Sequence, residues 1–369
     1  MAINKTAAGT FVVDFRDQSG KRIRKTFPTY KRASDYDKEA VAQVSRGDFI
    51  LPSKDTVKDI AEKWHARKKA TGTYRFSTLQ NWRTHIDKYI VPTLGYLAIQ
   101  QVGVEAVESA AAEWARMTSV NTANKTLTTL TAIFKLAQRY GPIQGRANVA
   151  ELAERLKVSN EEDEDEEVRP EQVYSEEELQ TLVGATAPGS LERAMVMVPA
   201  LTGLRIGEVL GLTWPAVDFK ANKIYVRLNL VDESKEKGGR QLRAPKSKSS
   251  RRTSDLPQEL AHELKLWKLK CPRSEHDLVF ATIDGKPLHR KAAMQIMDTA
   301  IKAAEVKRLT LHKLRHTFAS LLLSRSVAIP KVSTLLGHRD SVITLKTYAH
   351  FVQDKKNDVQ ELASSILPS

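Results

Sequence analysis

The stretch LHKLRHTFAS, residues 311–320, sets His312 and His316 four positions apart with Lys313 and Arg315 between them. On a helix that spacing puts both imidazoles on one face, as in a metal grip, and Arg315, three positions after His312, shares the face. Metal binding needs a third ligand and surroundings that tolerate a dication. Zinc peptidases place Glu beside the first histidine; here Lys313 stands there, and Arg315 adds a second cation on the ligand face. His312 with Arg315 therefore fits an anion better than a metal. Leu311, Leu314, Phe318 and Leu322 supply apolar residues for burial.

Two further segments carry polar residues on otherwise apolar elements. In ALTGLRIGEVLGLTW, residues 200–214, Arg205 and Glu208 lie one turn apart in what reads as an apolar helix. A buried, unpaired arginine is costly, so Arg205 requires either Glu208 as a structural partner or an anionic ligand. In LLGHRDSVITLKTYAHF, residues 335–351, His338 closes an apolar turn after Gly337. Asp340 or Ser341 can cap the next helix, which carries Lys346 and Tyr348. A tyrosine there is either core packing or, close to cations, a nucleophile directed at phosphate.

The rest of the chain must position these groups. Its 369 residues carry a formal charge of +14, and seven consecutive acids at 161–167 leave +21 on everything else. So cationic a surface favours a polyanion, nucleic acid ahead of membrane. The lone Cys271 excludes an internal disulfide and a cysteine zinc cluster, and suits a reducing cytoplasm. No apolar run is long enough to span a bilayer, the first residues lack a signal-peptide core, and no nucleotide-binding glycine motif is present.

Hydrophobic patterning divides the chain at 1–52, 53–158, 159–172 and 173–369. In the first segment TFVVDFR and RIRKTF read as strands joined by a turn at Asp17–Gly20 chemistry (Asp-Gln-Ser-Gly), followed by a helix over 31–49. Ile23, Lys25 and Phe27 share one strand face; Arg22 and Arg24 lie on the other, a cationic face of the kind that enters a DNA groove or simply stays solvated. The second segment is helical, with Leu127, Leu130, Phe134 and Ala137 in register and breaks expected at Pro92–Gly95 and Gly141–Pro142. It shows cationic and aromatic residues, among them Arg75, Trp82, Arg83, His85 and Lys88. The acidic segment reads as an extended linker. Ser175 and Glu178 then form a capping box that opens a new domain. There KIYVRLNLV, residues 223–231, alternates as one half-buried strand, and the basic stretch 238–257 reads as two strands around an exposed turn.

Taken together, Arg205 in TGLRIGEVLGL, Lys248 in PKSKSSRRT, His312 and Arg315 in HKLRH, His338 in LLGH and Tyr348 in KTYAH resemble the tyrosine recombinase (phage integrase) family, arm-binding branch. The order and spacing match across residues 175–350, about half the chain. The resemblance implies a mainly α, multidomain protein: a small N-terminal β-sheet plus helix that binds arm DNA, an all-α core-binding domain, and an α+β catalytic domain with a C-terminal tail. It implies a site-specific DNA recombinase that integrates and excises a mobile element through a covalent 3′-phosphotyrosyl intermediate, without metal, ATP or other cofactor.

The resemblance also assigns roles. Tyr348 would be the nucleophile. Arg205 and Arg315 would hold the non-bridging phosphate oxygens, His312 would bind phosphate and help move the tyrosine proton, and His338 would bond an oxygen from the other side. Lys248 would protonate the leaving 5′ oxygen, with Lys246 two residues away on the same strand face as the alternative. Glu208 would orient Arg205, and His316 would support the site by packing. Arg22, Arg24, Arg75, Arg83 and Lys246 are the expected further DNA contacts. Double-stranded DNA, a homotetramer, an excisionase and a host DNA-bending protein are the implied partners, in a prokaryotic cytoplasm at the nucleoid. A type IB-like topoisomerase and a non-catalytic DNA-binding protein are the competing readings. Two details depart from the family: Ser254–Asp255 where an apolar strand residue is commoner, so irregular pairing is expected there, and the length of the acidic run.

Overall fold

Alternation of apolar residues in the first segment builds a three-stranded antiparallel sheet, β1 (Ala2–Lys5), β2 (Phe11–Arg16) and β3 (Arg22–Phe27), in that order. Val13, Phe15 and Ile23 bury against Ala33 and Ala40 of α1 (Tyr30–Arg46). The computed structural model describes residues 2–16, 22–46, 53–157, 168–233, 239–244 and 252–352. The acidic run, Lys246, Lys248 and the tail after residue 352 lie outside them. The chain forms two compact units, residues 1–158 and 159–369.

The helical part of the first unit comprises α2 (Val57–Ala70), α3 (Phe76–His85), α4 (Val91–Leu94), α5 (Val104–Met117), α6 (Val120–Tyr140) and α7 (Val149–Leu152). Its core joins Trp64, Ile86, Ile90, Trp114, Leu130 and Phe134. The break expected over Pro92–Gly95 comes at Gly95 and not at Pro92. A π-turn, Ile86–Ile90, carries α3 directly into α4, and the run stays helical until Gly95. Proline lacks an N–H and its ring presses on the carbonyl four residues back; a widened turn just upstream relieves both.

In the second unit, α8 (Glu176–Gly184) opens on the Ser175/Glu178 capping box, with Glu178 N–H donating to Ser175 Oγ at 3.1 Å and Ser175 N–H to the Glu178 carboxylate at 2.8 Å. The chain joins this unit before α8. Val168 is 4% exposed and its N–H donates to Thr347 O at 2.6 Å, so the linker expected over 159–172 ends earlier. The apolar α9 (Leu191–Thr202) is followed by α10 (Ile206–Leu210), β4 (Val217–Asp218), β5 (Lys223–Tyr225), β6 (Asn229–Asp232), β7 (Arg240–Arg243) and β8 (Thr253–Asp255). Then come α11 (Gln258–Lys270), α12 (Arg290–Ala304), α13 (Leu311–Ser324), α14 (Ile329–Leu336) and α15 (Ser341–Tyr348). Helix α9 is central, packed on α11, α12 and α13.

The strands order as β4-β5-β8 and, separately, β6-β7. Residues 223–231 are thus two strands in two sheets: Val226 N–H donates to Arg252 O, and from Asn229 the chain pairs with β7 instead. Pairing at Ser254–Asp255 is regular. Ser254 is buried, but its hydroxyl donates to Thr202 O at 3.1 Å, and Asp255 pairs with Lys223. A satisfied hydroxyl replaces the apolar residue expected there.

Candidate active site

Helix α9 stops at Gly203, whose φ of +63° only glycine adopts cheaply, and where a Cβ would lie 2.5 Å from the Phe318 ring. Arg205 consequently stands in the gap as the N-cap of α10, in extended conformation, and not inside a helix as its sequence context suggests. Its side chain is 37% exposed. Glu208, one turn into α10 and 5% exposed, accepts from Arg205 N–H at 2.8 Å and from Arg205 Nη1 at 3.2 Å. Its main partner is a different residue: Arg252, just before β8, donates Nη1 and Nη2 to the two Glu208 oxygens at 3.0 and 2.9 Å. Orienting Arg205 is therefore only part of what Glu208 does.

The C-terminal end of α14 gathers three guanidinium groups. Leu335 O accepts from Arg252 Nε at 2.7 Å, Leu336 O from Arg315 Nη2 at 2.8 Å, and Gly337 O from Arg205 Nη2 at 3.2 Å. These are carbonyls without intrahelical partners, at the negative end of the helix dipole. Arg315, on α13 and 3% exposed, also donates Nη1 to Gly203 O at 2.5 Å. Gly337, at φ +66°, turns the chain so that His338 and α15 follow; Asp340 caps α15 by accepting Val342 N–H at 3.0 Å.

Arg205, His312, Arg315, His316, His338 and Tyr348 line one cavity of about 450 Å³, with Arg339 and Thr347 on its wall. Tyr348 is 1% exposed, and its hydroxyl lies 2.8 Å from His316 Nδ1. The His312 ring meets His316 edge-on at 4.6 Å. The histidine on the phenol is thus His316 and not His312, a contact the i, i+3 reading of the motif missed. His338 Nδ1 is bonded to Thr344 Oγ1 at 2.8 Å, which fixes its ring and leaves Nε2 for another partner. Arg339 and Arg252 went unnoticed in the sequence, the first beside a more obvious histidine, the second inside a basic run. A larger cavity of about 730 Å³ borders α8, α9 and α13, but Leu179, Met197, Phe318 and Leu322 make it largely apolar and it holds none of these groups.

Burial dominates the protonation of the site. It pushes the Tyr348 phenol up to about 12, with Arg315 opposing. Burial, then the neighbouring His312, Lys313, Arg315 and His338, push His316 down to about 3. Burial and the arginines Arg315, Arg205 and Arg252 push His338 down to about 4. His312 is lowered by burial and then by Arg315, Lys313 and Arg205. Burial, Arg205 and Arg252 also lower Arg315. Burial and these cations disfavour the imidazolium form of all three histidines, and the cations repel a metal dication as they would attract a phosphate.

A stability consequence follows for the imidazoles. Folded His316 refuses a proton that the unfolded chain accepts near 6.5, so its contribution to stability is complete above that pH and is lost as pH falls towards about 3. At pH 5 the loss is on the order of 2 kcal/mol. The melting temperature will fall between pH 7 and pH 5, and His316→Gln will flatten that slope; an unchanged slope in the variant contradicts the assignment.

Of the other expected DNA contacts, Lys246 lies outside the described residues, and Arg22, Arg24, Arg75 and Arg83 lie in the first unit and do not line this cavity. Arg22 donates Nε and Nη2 to Asp14 at 2.9 and 2.6 Å, and Arg24 Nε lies 3.4 Å from the same carboxylate, so this strand face is not purely cationic. Arg75 is half-buried at the N-terminus of α3. Arg83, 29% exposed on its side chain, is held by Glu62, at 2.7 Å, and by Asp87. Arg83→Ala is expected to lower stability by about 1 kcal/mol while changing DNA affinity less than twofold, measured by thermal melting and by filter binding.

Residues 172–355 match the phage integrase family, and residues 57–154 match the phage integrase central domain. Together the matches span well over half the chain. A protein described as tyrosine recombinase XerC-like, from Caldanaerobacter subterraneus subsp. tengcongensis, is 26% identical over 95% of this chain and 94% of its own length. An integrase of Streptomyces ambofaciens is 28% identical over 90% of this chain and 86% of its own. In fold, the Tn1549 transposon integrase, solved in complex with transposon right end DNA, superposes with a TM-score of 0.66 at 18% identity, over 84% of this chain and 99% of that one. A lambda integrase tetramer bound to a Holliday junction gives 0.57 at 18% identity over 95% of each chain. The chain belongs to the phage integrase family and is a DNA-binding, tyrosine-type site-specific recombinase.

Proposed function

We propose that this recombinase integrates and excises a mobile element by transesterification at Tyr348. The observation that carries the reading is the Tyr348 hydroxyl, hydrogen-bonded to a neutral imidazole in a cavity walled by Arg205 and Arg315. A scissile phosphate seated there supplies the negative charge that raises the histidines' proton affinity. The phenol then passes its proton to His316, directly or through His312, and its oxygen attacks phosphorus. A 3′-phosphotyrosyl bond forms as the P–O5′ bond breaks, and Lys248 or Lys246 protonates the leaving oxygen, a contribution of about 10²–10⁴-fold. Bond energy is retained, so resealing needs no nucleotide.

Charge matching supports this chemistry. Arg205, Arg252 and Arg315 around Glu208 leave about two positive charges, the complement of a dianionic pentacoordinate phosphorane. Arg205 and Arg315 each direct two donors at protein acceptors, leaving three of the guanidinium's five for the phosphate. His338 Nε2 reaches the oxygens from the opposite wall.

The test is a nicked suicide duplex carrying the attachment site, mapped by footprinting the DNA that flanks the gene. Wild-type protein should form a covalent protein–DNA adduct in the presence of a chelator. Absence of adduct on a bound, footprinted site overturns the reading.

The remaining assignments rest on family membership and composition. Residues 1–52 bind arm sites, 53–158 grip the core site, the active assembly is a homotetramer on two duplexes, and an excisionase and a host DNA-bending protein set direction. The protein works in a prokaryotic cytoplasm at the nucleoid; among the described residues no helix is long and apolar enough to cross a membrane. The acids at 161–167 compete with DNA for cationic surface. Neutralising all seven should tighten non-specific DNA binding several-fold at low salt and little at high salt; equal affinity at both salts refutes the competition.

A further inference from the structure

Arg252 has no contact with the cavity, yet its guanidinium is the point through which the groups around that cavity are joined. It is 6% exposed on its side chain, although it lies in the run SSRRTSD that composition reads as solvated. Three carbonyl or carboxylate acceptors take its donors: Glu208 through both oxygens, Leu335 O at 2.7 Å, and Gly203 O at 3.4 Å. Two of these acceptors are shared with residues that line the cavity, and the third adjoins acceptors that such residues use. Glu208 also holds the backbone and side chain of Arg205. Gly203 O also accepts from Arg315. Leu335 O is adjacent to Leu336 O, which accepts from Arg315, and two residues from Gly337 O, which accepts from Arg205.

We infer that Arg252 is a positioning residue for the phosphate-binding arginines: by saturating Glu208 and clamping Gly203 to the end of α14, it sets where Arg205 and Arg315 present their remaining donors. The inference rests on the recombinase reading of the cavity. Without Arg252, Glu208 is a buried carboxylate whose single cationic neighbour is Arg205 among the contacts described, and the carboxylate draws that guanidinium off the cavity. The carbonyl of Gly203 then loses one of its two arginine donors, loosening Arg315.

A second consequence concerns the chain leading into Arg252. Its own carbonyl accepts Val226 N–H at 2.9 Å, so the residue is pinned by backbone as well as side chain. The group that sets the two arginines is thus itself held in place by the sheet. Lys246 and Lys248 precede Arg252 by six and four residues.

Arg252→Lys is the deciding variant, because it keeps the charge and discards the planar fork. A lysine ammonium cannot span both Glu208 oxygens, Leu335 O and Gly203 O. If Arg252 acts only through its charge or through general stability, Arg252→Lys will behave as wild type once folded. If it positions, single-turnover adduct formation will fall at least tenfold while affinity for the same duplex changes less than threefold. Arg252→Met should be worse. The double variant Glu208→Gln, Arg252→Met should lose less than the product of the two single losses, since both act on Arg205 through one contact.

Orthovanadate, titrated calorimetrically into the protein without DNA, gives a readout independent of cleavage. Its affinity should drop at least tenfold in Arg252→Lys, whose folding is checked by thermal melting. Wild-type vanadate affinity, or a wild-type cleavage rate, in folded Arg252→Lys overturns the inference. A wild-type protein that binds vanadate but forms no adduct overturns the recombinase reading instead.

Discussion

Tyr348→Phe will bind site DNA as wild type does and form no covalent adduct. The substitution removes one oxygen from a ring that is 1% exposed and packed among Val168, Val173, Leu323, Val332 and Leu336. The ring volume is kept, so no cavity opens. The lost hydrogen bond to His316 costs about 1 kcal/mol, partly offset because the phenol no longer has to be buried. The fold and the arginine-lined wall therefore survive, and only the nucleophile goes. A loss of at least about 10⁴-fold in adduct formation follows for an enzyme whose chemistry passes through that atom. Denaturing electrophoresis of the suicide-substrate reaction, beside a gel-shift titration on the same duplex, separates the two effects. Residual adduct in the variant at a tenth of the wild-type yield would mean that another hydroxyl attacks, and the role given to Tyr348 falls.

The same residue shows how far the amino-acid sequence carries the argument. The ordered set from Arg205 to Tyr348 was legible because it is a pattern of residue types at element ends, and residue types survive when backbone detail does not. The capping box at Ser175 and the core stripe of α6 were legible for a similar reason: each is a local rule with one solution. What escaped was every feature that depends on a partner distant in sequence. Period-2 alternation runs through 223–231 without a fault, yet the hydrogen-bonding partner changes between Val226 and Asn229, and no side-chain pattern records that. Arg205 looks helical until Gly203 takes a left-handed conformation against Phe318. Helical spacing put His312 and His316 on one face without saying which of them meets α15. Arg252 sits among cations that look solvated, and only the fold reveals the carboxylate waiting for it. The pairing of Arg83 with Glu62 and Asp87 was hidden in the same way, since Glu62 lies 21 residues away on another helix.

Arg315→Lys is expected to cut adduct formation by about 10²–10³-fold, the usual effect of removing one preorganised donor from a developing oxyanion. Arg315 bridges Gly203 O and Leu336 O, at 2.5 and 2.8 Å, from a site that is 3% exposed, and must still face a phosphate oxygen. A guanidinium does this because its fork is planar and its five donors point in fixed directions. A lysine ammonium reaches one carbonyl or the phosphate, and leaves a buried acceptor unpaired at a cost of about 1–3 kcal/mol. The charge is retained, so long-range attraction for DNA is retained too. The loss should therefore appear in the single-turnover rate and scarcely in the dissociation constant of the duplex. Thermal melting will report the unpaired carbonyl as a modest drop. If affinity falls with the rate, Arg315 contributes to the cavity mainly as a point charge, and the geometric role given to its two backbone bonds is wrong. Arg205→Lys supplies the internal comparison. Its side chain is 37% exposed and free to readjust, so it should lose less stability than Arg315→Lys while losing a comparable rate. That ordering follows from burial, since each guanidinium bonds a carbonyl at the end of α14 and a second group elsewhere, but Arg205 is 37% exposed on its side chain and Arg315 is 3% exposed.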